Sequence, residues 1–150
     1  MGIRSTRGDD GVRVVTMDFP PVNAVPVAGW FELAAALDDA SRDIATHVVV
    51  LRAEGKGFNA GVDIKEMQAT RGFDALIGAN KGCFAAFRAV YECAVPVVAA
   101  VHGHCLGAAS AWWGTRTPLW PPTTRTSRCP RWTGGRSARR PTWPGWSRST

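Results

Sequence analysis

Apolar and polar positions follow two different rhythms along the first part of the chain. Val12 to Phe19 is a β-branched, apolar run behind a Gly8-Asp9-Asp10-Gly11 turn signal, and it predicts an opening hairpin with Ile3 to Thr6. From Val27 the period lengthens to 3.6. Val27, Trp30, Phe31, Ala34, Leu37 and Ser41 share one face while Glu32, Asp38, Asp39 and Arg42 look outward, which predicts a helix with the first set inward. His47 to Leu51 is a short valine-rich run suited to a strand covered on both faces of a parallel sheet. A glycine-rich loop, Glu54 to Gly61, follows it. Asp63 to Gln68 predicts a short helix. Phe73, Leu76, Ile77, Asn80, Phe84, Phe87 and Tyr91 then mark the apolar face of a long one that ends before Pro96. Val97 to Val101 reads as another buried strand. This order predicts an α/β fold with parallel strands and right-handed crossovers. Ligands in such sheets sit beyond the carboxyl ends of the strands, where both glycine-bearing loops fall.

Composition changes the picture only when it is located. The 150 residues carry a formal net charge of +6, yet all 12 acids precede residue 112 and eight of the 18 Lys+Arg lie in the last 39 residues. The first 111 residues therefore hold −2 and the rest hold +8. That tail contains eight Arg, eight Thr, six Pro and six Trp, without Val, Ile, Met, Phe, Lys or any acid. Such a composition cannot build the periodic apolar faces that helices and strands bury. Residues 1–107 are expected to form the α/β part, and 108–150 an irregular, disordered tail. The four cysteines lack any C-x-x-C pair and the first residues are polar, so a reducing cytoplasm is the expected compartment. The longest apolar run, Ala94 to Val101, is far shorter than the roughly 20 residues a bilayer requires, so no membrane association is expected.

Candidate chemistry concentrates in the two glycine-bearing loops. Lys56 to Met67 brings two glycines and an alanine to a helix start, so backbone N–H groups face open space with a helix dipole behind them. The competing structural reading is a strand-to-helix turn capped by Asp63. His102 to Ala109 repeats the arrangement after the next strand, and two amide-bearing turns at neighbouring strand ends could converge on one carbonyl oxygen. His102, His104 and Cys105 crowd three donors into four residues and match no common zinc spacing, so no metal is expected. Cys105 as a nucleophile has no distant histidine but His47. The Gly-x-Gly fragments lack the dinucleotide fingerprint. Glu66, on the exposed side of a helix, reads as solvated.

The stretch Phe58 to Met67, FNAGVDIKEM, resembles the signature loop of the crotonase, or enoyl-CoA hydratase/isomerase, superfamily. Pro21 to Val25 (PVNAV) and VPVVAAVHGHCLG are similar to two further landmarks of that family, in the same order, and the likeness covers residues 1–107. The resemblance implies a spiral of ββα units, here truncated, that assembles as trimers or hexamers and acts on acyl-CoA thioesters in lyase, isomerase or hydrolase chemistry. It implies no separate cofactor, because coenzyme A is part of the substrate. The amides of Val62 and Ala108 would be the oxyanion donors. Asn23, Ala24, Ala60, Gly61, Asp63, Ile64, Lys65 and Gly107 would flank the CoA arm, with Lys56 and Lys65 toward its phosphates. The N-terminal wording resembles actinobacterial members that open steroid rings carried as CoA thioesters. Departures also stand out: Gly107-Ala108-Ala109 replaces consecutive glycines, Ala111 stands where hydratases have a glutamate, and Pro130 is followed by Arg131 rather than the family's second glutamate.

A reading-frame slip accounts for the tail. If each new codon joins the last base of one codon to the first two of the next, the single tryptophan codon forces five residues. Trp113 gives valine, Gly114 glycine, Pro121 alanine, Thr133 aspartate and Pro144 alanine, which restores acids and aliphatics. Permitted bases elsewhere allow a proline-glutamate pair and a glycine at the Ala111 position. Two other readings stand beside the enzyme: an inactive frameshifted fragment, which suits the literal chain best, and a nucleic-acid binder using the Arg/Trp tail. The tail has no folded platform, so nucleic acid is not the expected partner. Genomic DNA across the Gly107 codon is expected to hold an open frame that continues past the present stop into a full crotonase. The absence of such a frame would remove the slip and make the tail a selected segment.

Overall fold

The computed structural model describes residues 1–108 together with Leu119–Trp120. The predicted hairpin forms from β1 (Gly2–Arg7) and β2 (Val12–Asp18), antiparallel with Ile3 opposite Met17, and its turn closes through Gly8 N–H to Val12 O and Gly11 N–H to Gly8 O. A two-residue strand β3 (Ala24–Val25) leads into helix α1 (Val27–Arg42), which is followed by β4 (Val48–Ala53). Next come β5 (Gly61–Val62), the short helix α2 (Ile64–Ala69), the long helix α3 (Asp74–Tyr91), β6 (Val97–Ala100) and β7 (Leu119–Trp120). The main sheet has the order β1-β2-β4-β6-β7, parallel at every junction after the hairpin. A separate small sheet pairs β3 with β5 in parallel.

The core joins Val15 and Met17 of β2, Val49 and Leu51 of β4, and Val97 and Ala99 of β6 to the inner faces of α1 and α3. Trp30 is its largest fully buried side chain, with its indole N–H donating to Val25 O at 3.1 Å and its ring edge-on to Phe87 at 5.8 Å. On β4 the burial alternates: Val49, Leu51 and Ala53 are buried, Val48 and Val50 are half-buried, and Arg52 is exposed. The strand is therefore not sealed on both faces, and Arg52 finds water on the second one.

Both long helices correct the expected faces. In α1 the buried set is Gly29, Trp30, Leu33, Ala34, Leu37 and Ala40, while Phe31 is exposed and Ser41 half-buried. In α3 the face is inverted except at Phe87, which stays half-buried against Trp30. Ala75, Ala79, Gly82, Ala86, Ala89 and Val90 are buried, and Phe73, Leu76, Ile77, Phe84 and Tyr91 stand exposed. The reason is the close approach of the two helices. A Cβ on Gly82 would lie 2.8 Å from Trp30 Cβ, and one on Gly78 would lie 3.0 Å from a Val27 methyl, so only the small-residue stripe of α3 fits against α1. Burying the larger residues there would force the helices apart and leave Trp30 loosely packed.

The tail was expected to lack regular elements, yet Leu119–Trp120 extends the sheet beside Ala99 and Ala100 of β6. An open strand edge presents backbone donors and acceptors that any extended segment can satisfy, whatever its side chains. The remainder of that expectation, like Ala111 and the Pro130-Arg131 pair, lies outside the described residues.

Asp43, at the end of α1, ties that helix to the hairpin. Its carboxylate accepts from Thr46 Oγ1, from the Arg13 guanidinium and from Ala45 N–H, with Arg7 close by. The Thr46 and Arg13 bonds, led by the former, hold its pKa down from 3.8 to about 2. Folding thus favours the charged form. The stabilisation is complete above about pH 4 and fades as the pH falls toward 2. The Asp43 carboxyl is expected to titrate near pH 2 by carbon NMR, and Asp43→Asn should lower the melting temperature at pH 7 but not at pH 2. An ordinary titration near 3.8 would contradict this linkage.

Candidate functional site

Three connections leave the carboxyl ends of β2, β4 and β6, and buried polar side chains lock them together. Asn23 sits at φ 56°, in the left-handed region that asparagine tolerates better than most residues. Its Oδ1 accepts from Phe19 N–H at 2.8 Å, and its Nδ2 donates to Glu54 O at 2.6 Å and Gly57 O at 2.8 Å. Its main-chain oxygen accepts from Ala60 N–H at 3.0 Å. Asn59, fully buried, accepts from Gly61 N–H at 2.6 Å through its side chain and bridges in parallel to Cys105. The connection after β6 joins in: Phe58 N–H reaches the carbonyls of His102 and His104, each at 2.9 Å, and Leu106 N–H reaches Asn59 O at 2.9 Å.

Two of these crossings admit no side chain. A Cβ on Gly103, at φ +57°, would fall 2.1 Å from Lys56 O, and one on Gly57 would fall 2.2 Å from the His104 ring. His102 and His104 act as tethers here, with Nε2 atoms 3.0 Å from Gly55 O and 2.9 Å from Val22 O. Cys105 is buried. Among the described residues, no group of three or more His, Cys, Asp or Glu could hold a metal ion.

This framework brings the two glycine-bearing loops together. Asp63 N–H donates to Val25 O at 3.0 Å, so strand alternation turns the Val62 N–H to the edge of β5 away from β3. Gly61, at φ +91°, faces the other loop so closely that a Cβ would lie 3.2 Å from Ala108 N and 3.5 Å from Gly107 Cα. Gly61 thus faces the Gly107-Ala108 segment with room for little more than its hydrogen. Asp63 caps α2, accepting from Lys65 N–H at 2.9 Å and Glu66 N–H at 3.4 Å, so the expected helix cap is present.

Beside these amides lies a cavity of about 400 Å³. Ala24, Ala60, Val62, Asp63, Ile64 and Lys65 line it, together with Phe19 and the Pro20–Val22 turn. Six residues picked out by the sequence therefore share one wall. Others do not. Asn23 and Gly61 are buried, Lys56 is exposed on the loop after β4, and Gly107 lies exposed across from Gly61. Glu66 is not merely solvated as expected: its Oε2 accepts from Val27 N–H at 2.8 Å. The sequence signal for this is Pro26, which precedes α1 and offers no capping side chain.

Residues 7–111 match the model of the enoyl-CoA hydratase/isomerase family, and the chain belongs to that family. A (7aS)-7a-methyl-1,5-dioxo-2,3,5,6,7,7a-hexahydro-1H-indene-carboxyl-CoA hydrolase of Rhodococcus jostii is 68% identical over 107 residues, which are 71% of this chain and 42% of the relative. A hydrolase of the same description from Mycobacterium tuberculosis is 64% identical over 107 residues, covering 71% of this chain and 43% of its own. The crystal structure of an enoyl-CoA hydratase from Mycobacterium smegmatis superposes with a TM-score of 0.67 at 31% identity, covering 72% of this chain and 42% of that one. The chain thus spans less than half the length of these relatives, and its fold is that of the crotonases.

Removing the Asn23 side chain would orphan one amide and two carbonyls that are wholly or partly buried. Asn23→Ala is expected to cost about 3 kcal/mol in urea unfolding, whereas Lys65→Ala, at an exposed position, should stay within about 0.5 kcal/mol. Equal losses would show that the junction does not depend on Asn23.

Proposed function

We propose that the intact protein hydrolytically opens a ring of a bicyclic diketone carried as a CoA thioester, and that this chain carries the CoA-binding and oxyanion-stabilising half of that site. The observation that carries the reading is the cavity: the family's signature loop lines it with Ala60, Val62, Asp63, Ile64 and Lys65, next to Gly61, which faces Ala108. The Val62 and Ala108 amides would donate to the carbonyl oxygen as negative charge develops there. One such donor contributes about 3 kcal/mol to lowering a barrier of this kind. Ala24, Asp63 and Ile64 would pack along the CoA arm, and Lys65 would meet a phosphate, with exposed Lys56 as a second cation. The identity to the two actinobacterial hydrolases supports the substrate class and a place in steroid-type catabolism. Coenzyme A enters as part of the substrate, and no further cofactor is needed. Trimers or hexamers would complete the active form. Its place of action in this reading is the cytoplasm; among the described residues no helix is long and apolar enough to cross a membrane.

The literal chain has no glutamate at Ala111 or after Pro130. A missing general acid or base removes about 10² to 10⁴ in rate. The expected behaviour is therefore binding without turnover. Coenzyme A titrated into the 150-residue chain should bind, about threefold more weakly in Lys65→Ala, and a frame-restored chain should hydrolytically open a ring of the bicyclic diketone thioester. In that chain, replacing the glutamate of the proline-glutamate pair by glutamine should abolish turnover and spare binding. Hydratase or hydrolase activity in the unrestored chain would overturn this division of labour.

A further inference from the structure

Helix α2 carries part of the cavity wall, yet none of its residues is buried. Six residues are too few to be helical on their own account, because nucleation outweighs the gain from so few hydrogen bonds. Something outside α2 must hold it. Asp63 caps it from within and pairs with Val25 at its entrance, which leaves the body of the helix to be fixed by other contacts.

Helix α1 has the converse deficit. It begins behind Pro26, with no side-chain cap and no acid in its first turn, so the positive end of a 16-residue dipole is left without a partner of its own. Glu66, 39 positions further on, serves both elements: its carboxylate accepts from Val27 N–H at 2.8 Å. The bond is charge-assisted and lies along the α1 dipole, the geometry in which a carboxylate at a helix start is most effective. Glu66 follows Ile64 and Lys65, and both of these line the cavity.

We propose that Glu66 is a positioning residue, a latch that caps α1 from α2 and thereby holds the Ile64-Lys65 wall in the form that receives the CoA arm. The latch is read from geometry alone, and its effect on ligand affinity rests on the function proposed above. It touches no reacting atom. Its loss should free α2 without disturbing the sheet.

The test uses the full 150-residue chain with Glu66→Ala and Glu66→Gln, followed by amide hydrogen exchange and by titration with coenzyme A itself. The Met67 and Thr70 amides, which bond to Asp63 O and Glu66 O, report on α2, and the Val49 amide, bonded to Pro96 O, reports on the sheet. In Glu66→Ala, Met67 and Thr70 should exchange about tenfold faster, the size expected for one lost bond to a charged group. Val49 should be unchanged, and coenzyme A should bind several-fold more weakly. Glu66→Gln, which keeps an accepting oxygen without the charge, should fall between. Unchanged exchange in α2 would overturn the latch, and so would an equal acceleration at Val49, which would mean global loosening. Faster α2 exchange with unaltered coenzyme A affinity would overturn the link to binding. If the unmutated chain fails to bind coenzyme A, the proposed function falls, while the exchange arm still judges the latch.

Discussion

Two buried asparagines hold the functional end of this molecule together, and their burial is tolerable only because their polar atoms are satisfied. Asn23 binds the turn after β2 to the connection after β4. Asn59 shapes that same connection at Gly61 and meets the segment after β6 at Cys105. A side-chain amide left unpaired in such surroundings would cost more than a hydrogen bond returns, so the three connections have little freedom to rearrange independently. The glycines at 57 and 103 belong to the same constraint, since the loops cross at distances that exclude a Cβ.

The proposed oxyanion stabilisation would draw on that rigidity. Backbone amides are weak donors individually, and they stabilise a developing oxyanion only when they are held in place beforehand. Here the Gly61-Val62 and Gly107-Ala108 segments are set against one another by bonds that involve neither donor directly. Glu66 extends the same logic to the cavity wall, where a helix with no buried residue is tied to α1 through its own carboxylate.

Helix packing imposes a different consequence. Because α3 meets α1 through alanine and glycine, its large apolar residues lie on the opposite face. The core of the described residues is built around Trp30 and the sheet, and the aromatic residues of α3 contribute little to it apart from the half-buried Phe87.

Much of this was legible in the residues themselves. The turn at Gly8 to Gly11 and the β-branched run after it dictate a local hairpin. The 3.6 period dictates two helices, and Asp63 dictates a helix start. The hairpin, the helices and the cap are properties of short segments, which are enough to decide them, whereas Ala60, Val62, Asp63, Ile64 and Lys65 were marked by the likeness of FNAGVDIKEM to the family's signature loop. What the tertiary structure alone decided involves choices between segments. Periodicity identifies a helix with two candidate stripes, but only the distance to α1 selects the alanine and glycine stripe over the aromatic one. The β3-β5 pair is too short to leave any pattern. The bond from Glu66 to Val27 spans 39 positions, and β7 finds its place beside the edge of β6. In each case the deciding partner is remote in sequence, and its position exists only once the chain has folded.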